Sequence, residues 1–250
     1  MSYSDINEYE DLAQGIAGEI ALSEGPGKVM KKWREKFQVP QKELADHLEI
    51  SPSVISDYES GRRSSPRVET IKKFVDSLLL IDHVRGSPVS RGLKRVIGSG
   101  IPPDILLDLR KFQVPVKGRD FCDYLHCKIV AGKDYLEREI WGYTAINSVA
   151  AILRLDIKQL TELYRQTIGR AAVFTKVSTG RSPLVAFKSS QIGFQNTVKP
   201  ALLVLHGLDP NRVDIVALKI AEAEHTTLAV STIKGIDELV KKLRTFHEVI

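Results

Sequence analysis

Residues 41–63, QKELADHLEISPSVISDYESGRR, decide the fold of this chain. The apolar residues of this stretch recur at helical spacing in two short blocks, and turn residues separate the blocks. Ser51 and Pro52 open the second block, because serine is a favoured N-cap and proline fits the first turn of a helix. Gly61 ends it, since glycine commonly follows a helix C-terminus. The stretch therefore predicts two helices joined by a tight turn. Their inward-facing residues are Leu44, Ala45, Leu48, Val54, Ile55 and Tyr58.

The segments on either side of this stretch predict two further helices. Before it, Val29, Trp33 and Phe37 recur at every fourth position, which is the spacing of one helix face. After Pro66, the apolar residues form a wider helical stripe. Each stripe needs a partner, and short connections keep neighbouring helices together. Residues 27–82 therefore predict an all-α bundle of four helices. The apolar positions of its last helix are Val68, Ile71, Phe74, Val75 and Leu78.

The central stretch closely resembles the helix-turn-helix of the XRE/Cro class of repressors. The resemblance is carried by Gln41, the pair Leu44 and Ala45, and the ending YESGRR over residues 58–63. It implies that the third helix of the bundle lies in the major groove of double-stranded DNA, with base or phosphate contacts from its first turns. It also implies that Gln41 contacts the DNA backbone, and the positive charges of Arg62 and Arg63 could add contacts to phosphates. The DNA-binding residues expected on this basis are Gln41, Ser51, Pro52, Ser53, Ser56, Asp57, Arg62 and Arg63.

Two residues depart from the usual pattern of this class. Pro40 stands where a serine or threonine cap is usual, so the second helix must be capped differently. Asp57 stands where a long amide or basic side chain often reads a base. A carboxylate there can accept a hydrogen bond from cytosine N4, which favours a C·G pair, or it can repel phosphate. The alternative is that Asp57 is a solvated helix position or holds Arg62 or Arg63 in place. Glu59 is interpreted as a structural brace and not as a DNA contact.

The charge of the chain gives a mild indication of a polyanionic partner. The formal net charge is +5 and the pI is about 9.1. Residues 1–26 hold six acidic side chains and neither Lys nor Arg, whereas residues 27–75 hold eleven basic and seven acidic ones. Because this excess of positive charge is modest, the bundle needs help to bind DNA, and the resemblance implies a homodimer on a palindromic site. A bundle that binds another protein instead of DNA is the alternative.

Composition also predicts the domain boundaries. The acidic leader, residues 1–26, has apolar residues near helical spacing and predicts an additional helix. Residues 27–82 form the bundle, and residues 83–103 are predicted to be a linker because Gly, Ser and Pro are dense in GSPVSRGLKRVIGSGIPP, residues 86–103. Residues 104–250 then form the second domain. The apolar positions of the leader are Ile6, Tyr9, Leu12, Ile16 and Ile20.

The second domain predicts alternating strands and helices. Short apolar runs bounded by Gly, Pro and polar residues predict strands over residues 171–177, 184–188, 201–207 and 226–232. Helical periodicity predicts helices over residues 105–112, 121–125, 143–154, 213–224 and 236–246. Strands that alternate with helices imply a parallel α/β layer. The expected fold class is α+β with two domains, an all-α helix-turn-helix bundle followed by a mixed α/β domain.

The last part of the chain is similar in texture to small regulatory domains of the DRTGG type, which implies a dimerising or ligand-sensing role. Ligands of open α/β layers bind beyond the carboxyl ends of the strands. The hydroxyls, the arginine and the glycine of STGRSP, residues 178–183, could hold an anion there, although an ordinary hairpin loop would have the same composition. A polar cap on a buried strand is the alternative role for His206. The possible ligand-binding residues are Thr179, Gly180, Arg181, Ser182, His206 and Gly207.

Sequence motifs of catalysis, cofactor binding and secretion are missing from the chain. The six histidines and two cysteines form no GxSxG, HExxH or phosphate-loop pattern, and Cys122, His126 and Cys127 are poorly spaced for zinc. The N-terminus lacks the pattern of a signal peptide, and no apolar run is long enough to cross a membrane. We therefore expect a cytoplasmic transcriptional regulator without metal or cofactor. An enzyme with an autoregulatory DNA-binding module is the alternative.

Overall fold

The apolar stripes of the N-terminal half fold into helices that bury one common core. The structure, a computed structural model, describes residues 3–87, 89–190 and 199–246. It divides the chain into two compact units, Met1–Pro103 and Asp104–Ile250. The helices of the first unit are α1 (Tyr3–Leu22), α2 (Pro26–Lys36), α3 (Gln41–Leu48), α4 (Pro52–Glu59), α5 (Val68–Val84) and α6 (Ser90–Gly98). The residues at the centre of its core are Trp33, Phe37, Leu44, Ala45, Ile55, Phe74 and Leu78.

The acidic leader forms helix α1, which packs against α2, α5 and α6. Leu12, Ile16 and Ile20 are fully buried, because their helical spacing places them on the face that meets the other helices. The polar side of α1 is also attached to the bundle. Glu19 accepts hydrogen bonds from Lys32 Nζ at 2.5 Å and from Trp33 Nε1 at 3.0 Å. The leader is therefore part of the first unit.

The segment predicted to be a linker, residues 83–103, contains the helix α6. Buried Asp82 accepts hydrogen bonds from the backbone N–H groups of Val89 and Ser90, at 3.1 and 2.8 Å, and so caps the start of this helix. Leu93 is buried on its inner face. The sequence pattern did not indicate the helix, because its capping carboxylate belongs to the end of α5 and not to the Gly- and Ser-rich stretch itself.

The second unit is built on one mixed six-stranded sheet with the strand order β1-β3-β4-β5-β6-β2. Strands β3 to β6 run parallel, and β1 and β2 pair antiparallel at the two edges. The strands are β1 (Leu106–Lys117), β2 (Cys127–Ala131), β3 (Glu139–Asn147), β4 (Ala171–Thr175), β5 (Leu202–His206) and β6 (Thr227–Ser231). The helices are α7 (Gly118–Tyr124), α8 (Ser148–Arg154), α9 (Ile157–Arg165), α10 (Arg181–Ser190), α11 (Ile215–Ala223) and α12 (Ile236–Thr245).

Every residue of β4, β5 and β6 is buried, which is typical of parallel strands covered on both faces. The predicted parallel layer and the α+β fold class are confirmed.

Three predictions of individual elements were wrong. Residues 105–112, predicted as a helix, lie mostly in edge strand β1, and residues 143–147 form the end of β3 before α8 begins. Residues 184–188, predicted as a strand, lie in α10, where Leu184 and Phe187 share the buried face at a spacing of three residues.

No helix within the described residues is long and apolar enough to cross a membrane.

Candidate nucleic-acid interface

Helix α4 is held in place by a buried ion pair at its C-terminal end. Arg34 of α2 donates from Nε to Glu59 Oε1 at 2.6 Å and from Nη2 to Oε2 at 2.8 Å. A third hydrogen bond joins Arg34 Nη1 to the carbonyl oxygen of Val39 at 2.9 Å. A bidentate pair between a guanidinium and a carboxylate fixes both distance and direction. The interpretation of Glu59 as a structural brace therefore agrees with the structure.

The same carboxylate connects α4 to the start of α3. Gln41 Nε2 donates a hydrogen bond to Glu59 Oε2 at 2.8 Å. The resemblance assigns a contact with the DNA backbone to Gln41, and the structure places its half-buried side chain within the brace. Arg34, Gln41 and Glu59 thus join three helices at one point. The role of Arg34 was missed in the sequence, because its partner lies 25 residues further along the chain.

A glycine lets α2 and α4 approach each other closely. A Cβ atom on Gly27 would lie 1.7 Å from the carbonyl oxygen of Tyr58, far inside van der Waals contact. Only glycine fits at this crossing. Local sequence patterns do not indicate this constraint, beyond the position of Gly27 directly after Pro26.

The turn between α3 and α4 forms without a side-chain cap. Glu49 adopts the left-handed conformation at φ 56° and ψ 39°, and the N–H of Ile50 donates to the carbonyl oxygen of Ala45 at 3.1 Å. Ser51 occupies the N-cap position of α4 as predicted, and Pro52 is the first helical residue. The Ser51 hydroxyl forms no capping hydrogen bond and instead lies 2.7 Å from Ser53 Oγ.

The expected DNA-binding side chains are spread along the outer surface of α4. Ser51, Pro52 and Ser53 are exposed at its N-terminal end, and Ser56 is half-buried in its middle. Small polar side chains allow another molecule to approach the helix closely. The partial positive charge of a helix N-terminus and its backbone N–H groups also favour phosphate. This end of α4 is therefore suited to the close approach of a nucleic acid.

The C-terminal end of the same surface carries an ion pair and a stacked arginine. Arg62 Nε donates to Asp57 Oδ1 at 2.7 Å, and the Arg62 side chain is 67% exposed. The guanidinium of Arg63 lies over the ring of Tyr58, 5.7 Å from its centroid. Of the roles expected for Asp57, the structure shows the one that holds Arg62. An exposed pair of this kind contributes at most about 1 kcal/mol, so a phosphate could replace the carboxylate as the partner of Arg62.

A second candidate site lies at the carboxyl edge of the sheet in the other unit. The loop after β4 runs over residues 176–180 and leads into α10, so STGRSP is a strand-to-helix turn and not a hairpin loop. Asp214 N donates to the carbonyl oxygen of Thr179 at 2.9 Å and fixes this loop on the neighbouring helix α11. The loop, α8 and the start of α10 enclose a groove of about 180 Å³, which we call the β3–β4 groove. Its polar lining residues are Ser148, Lys176, Ser178, Thr179, Gly180 and Ser182.

Three of the six residues predicted to bind a ligand lie in this groove, namely Thr179, Gly180 and Ser182. Arg181 lies outside the lining, with Nη1 3.9 Å from Asp214 Oδ2. His206 is buried at the end of β5, and its Nε2 lies 2.9 Å from the carbonyl oxygen of Ile233, to which it donates. Gly207 follows at φ 102° beside Val177.

Burial lowers the pKa of His206, partly opposed by its hydrogen bond to Ile233, so the imidazole is neutral near pH 7. The alternative role of His206, a polar cap on a buried strand, agrees with these contacts. Cys122 is buried, and the hydrogen bond that the Cys127 thiol donates to it, together with burial, raises the pKa of Cys127. A thiol with a raised pKa is a poor nucleophile and metal ligand. Within the described part of the chain, no three His, Cys, Asp or Glu residues are grouped to hold a metal ion.

Comparison with known proteins places the first unit in a helix-turn-helix family, which matches residues 30–78. An HTH-type transcriptional regulator of Methanocaldococcus jannaschii is 39% identical over 234 residues, 94% of each chain. Another, from Archaeoglobus fulgidus, is 42% identical over 237 residues, 95% of this chain and 98% of that protein. Both alignments extend over most of the two units. No solved structure matches this chain.

Proposed function

We propose that this chain, which belongs to the family of HTH-type transcriptional regulators, recognises a specific sequence in double-stranded DNA with helix α4 in the major groove. The observation that carries this proposal is the exposed polar end of α4, Ser51–Ser53, on a helix held by the buried Arg34–Glu59 pair. Sequence reading needs side chains at fixed positions relative to base edges. A helix fixed at its far end by two parallel hydrogen bonds meets that need.

In this proposal the cations after α4 supply the electrostatic part of the binding energy. Arg62 and Arg63 lie three and four residues after the end of the helix and are exposed. Contacts to phosphates position a protein on the duplex, and base contacts then select the sequence. Arg62 would exchange its exposed carboxylate partner, Asp57, for a phosphate. Because a transcriptional regulator must reach the chromosome, the proposal also implies a cytoplasmic protein.

We further propose that the active form is a homodimer on a palindromic operator. Helix α4 has eight residues, so one copy reads only a short half-site. Two copies related by a two-fold axis would read two half-sites about 34 Å apart, one turn of the duplex. The exposed apolar side chain of Ile157 on the second unit supports an interface there, since it is 82% exposed and lies outside the β3–β4 groove. A small molecule bound to this unit would change half-site spacing and hence DNA affinity, with equal and reciprocal coupling.

The test is equilibrium binding of the purified protein to pooled genomic DNA fragments across a series of salt concentrations. We expect enrichment of a palindrome and a steep fall of affinity with salt. The double variant Arg62→Ala, Arg63→Ala should flatten the salt dependence, by about 0.9 in the log–log slope for each phosphate that the variant no longer neutralises. The matched control, Arg119→Ala with Arg165→Ala, removes two exposed arginines from the other unit and should leave the slope unchanged.

Two results would count against DNA reading by α4. One is the absence of any enriched fragment. The other is equal binding by the Arg62, Arg63 variant and its control. If alanine at Ser53, Asp57, Arg62 and Arg63 together left regulation intact, the bundle would instead be a protein-interaction module.

A further inference from the structure

We propose that the β3–β4 groove binds a small aliphatic carboxylate. The groove lies between α8, the loop over residues 176–180 and the start of α10. The ligand's role as an effector rests on the proposed function, whereas its binding does not. The groove combines a polar side, which matches one negative charge, with an apolar side, which matches a short hydrocarbon chain.

The polar side contains a buried hydroxyl that needs a partner. Ser148 lines the groove and is 4% exposed, and its Oγ has no hydrogen-bond partner among the described residues. Buried hydroxyls are nearly always hydrogen-bonded, because an unpaired one loses its water without replacement. An anion in contact with Ser148 would accept that hydrogen bond once the hydroxyl, which is closed to water in the free protein, turns toward the groove. Ser148 is the observation that distinguishes this groove from an ordinary surface depression.

The charge of the groove is positive. Lys176 lines it, and none of its lining residues is acidic. Lys176 is exposed and forms no ion pair within the described part of the chain. Helix α10 begins at Arg181 beside the groove, and Ser182 of its first turn lines it, so the positive end of the helix dipole adds to the field. One cation matches one negative charge, which favours a carboxylate over a phosphate dianion.

The opposite side of the groove is apolar. Val149, Ile152 and Leu153 of α8 and Pro183 of α10 line it, and the three α8 side chains are among the exposed large hydrophobic residues of the protein. A hydrocarbon chain would cover part of this apolar surface. The volume of about 180 Å³ is below the roughly 300–1,000 Å³ of pockets that hold drug-sized ligands. The ligand is therefore small, with a few methylene or methyl groups.

The loop that forms the floor is held in shape before any ligand binds. Lys176 and Gly180 adopt left-handed conformations at φ 57° and 79°. The N–H of Val177 donates to the carbonyl oxygen of His206 at 3.1 Å. A Cβ on Gly180 would lie 2.5 Å from Leu205 Cδ1, so glycine lets the loop pack directly on β5. Such preorganisation lowers the entropy lost on binding.

The test is a titration of the isotope-labelled full-length protein with sodium hexanoate, followed by backbone amide NMR. We expect saturable shifts at residues 176–184. At matched ionic strength, hexan-1-ol, which lacks the charge, and inorganic phosphate, which lacks the hydrocarbon, should each bind at least tenfold more weakly. Lys176→Gln and Ser148→Ala should each weaken hexanoate binding by about tenfold, the scale of a hydrogen bond to a charged group. Lys188→Gln, which changes an exposed lysine of α10 outside the groove, should bind normally.

The proposal is overturned if hexanoate gives no saturable shifts, or if Lys176→Gln and Ser148→Ala bind it like the unchanged protein. It is also overturned if phosphate binds as tightly as hexanoate, because the apolar side would then have no role. DNA affinity measured with and without hexanoate is a separate readout. Unchanged DNA affinity with saturable hexanoate binding removes the effector role and keeps the site. Absence of DNA binding in the earlier experiment leaves the titration unaffected.

Discussion

At the scale of single residues, the brace that positions α4 depends on a charge pair that is almost fully removed from water. The side chains of Arg34 and Glu59 are 11% and 3% exposed. Breaking a buried pair leaves one charge without a partner and costs about 3–5 kcal/mol. We expect Glu59→Gln to lower the free energy of unfolding on this scale, measured by urea denaturation. Glu69→Gln, which removes an exposed pair with Lys73, should change it by less than about 1 kcal/mol. Equal effects of the two substitutions would contradict the brace.

Asp57 competes with DNA for Arg62. If its role is to hold Arg62, Asp57→Asn should release the arginine, strengthen non-specific DNA binding and steepen the salt dependence by up to about 0.9. The measurement is fluorescence anisotropy with random-sequence duplex at several salt concentrations. Binding to operators with single base changes distinguishes two roles of Asp57, holding Arg62 and reading a base. Loss of a C·G preference, with non-specific affinity unchanged, would show that Asp57 reads a base.

His206 makes the stability of the second unit depend on pH. Its pKa is lowered in the folded state, so below the ordinary value of about 6.5 the unfolded chain binds more protons than the folded chain. The stabilisation is therefore present above pH 6.5 and is lost as the pH falls toward the folded pKa. We expect His206→Gln, which keeps a donor for the carbonyl oxygen of Ile233, to reduce the loss of stability between pH 6.5 and 5. Identical pH profiles of the two proteins in thermal unfolding would refute this assignment.

At the scale of elements, the crossing of α2 and α4 requires Gly27. Gly27→Ala should push the helices apart and lower both stability, by more than about 2 kcal/mol, and affinity for the operator. The control is Gly18→Ala in α1, where a Cβ meets no atom within 4 Å. Alanine there should stabilise the helix by up to about 1 kcal/mol. Circular dichroism with urea gives both values, and a tolerated Gly27→Ala would show that the crossing is not tight.

Sequence patterns predicted the helices and strands whose determining residues lie within the element itself. The helices α3 and α4 follow from apolar spacing, Pro52 and Gly61, and the whole predicted DNA surface lies on one continuous stretch. The start of α6 depends on Asp82 in the preceding helix, and β1 is a strand because it pairs with β3, more than 20 residues later. The spacing of apolar residues within α6 and β1 indicates neither Asp82 nor β3 as a partner. Arg34 and Ser148 were missed for the same reason, since folding alone brings them to Glu59 and to the β4 loop.

At the scale of the whole molecule, the proposed homodimer predicts that one exposed apolar residue controls operator binding. Ile157 is 82% exposed and is the first residue of α9. A glutamate there interacts favourably with the positive end of the helix dipole, so Ile157→Glu should keep the fold. If the second unit dimerises through this surface, the variant should become monomeric in light scattering. It should also bind the full palindrome no more tightly than a single half-site. Val114→Glu, a matched change on β1 where the side chain is 71% exposed, should remain dimeric. A dimeric Ile157→Glu protein with full operator affinity would place the two-fold contact elsewhere, because the charge would then lie in solvent.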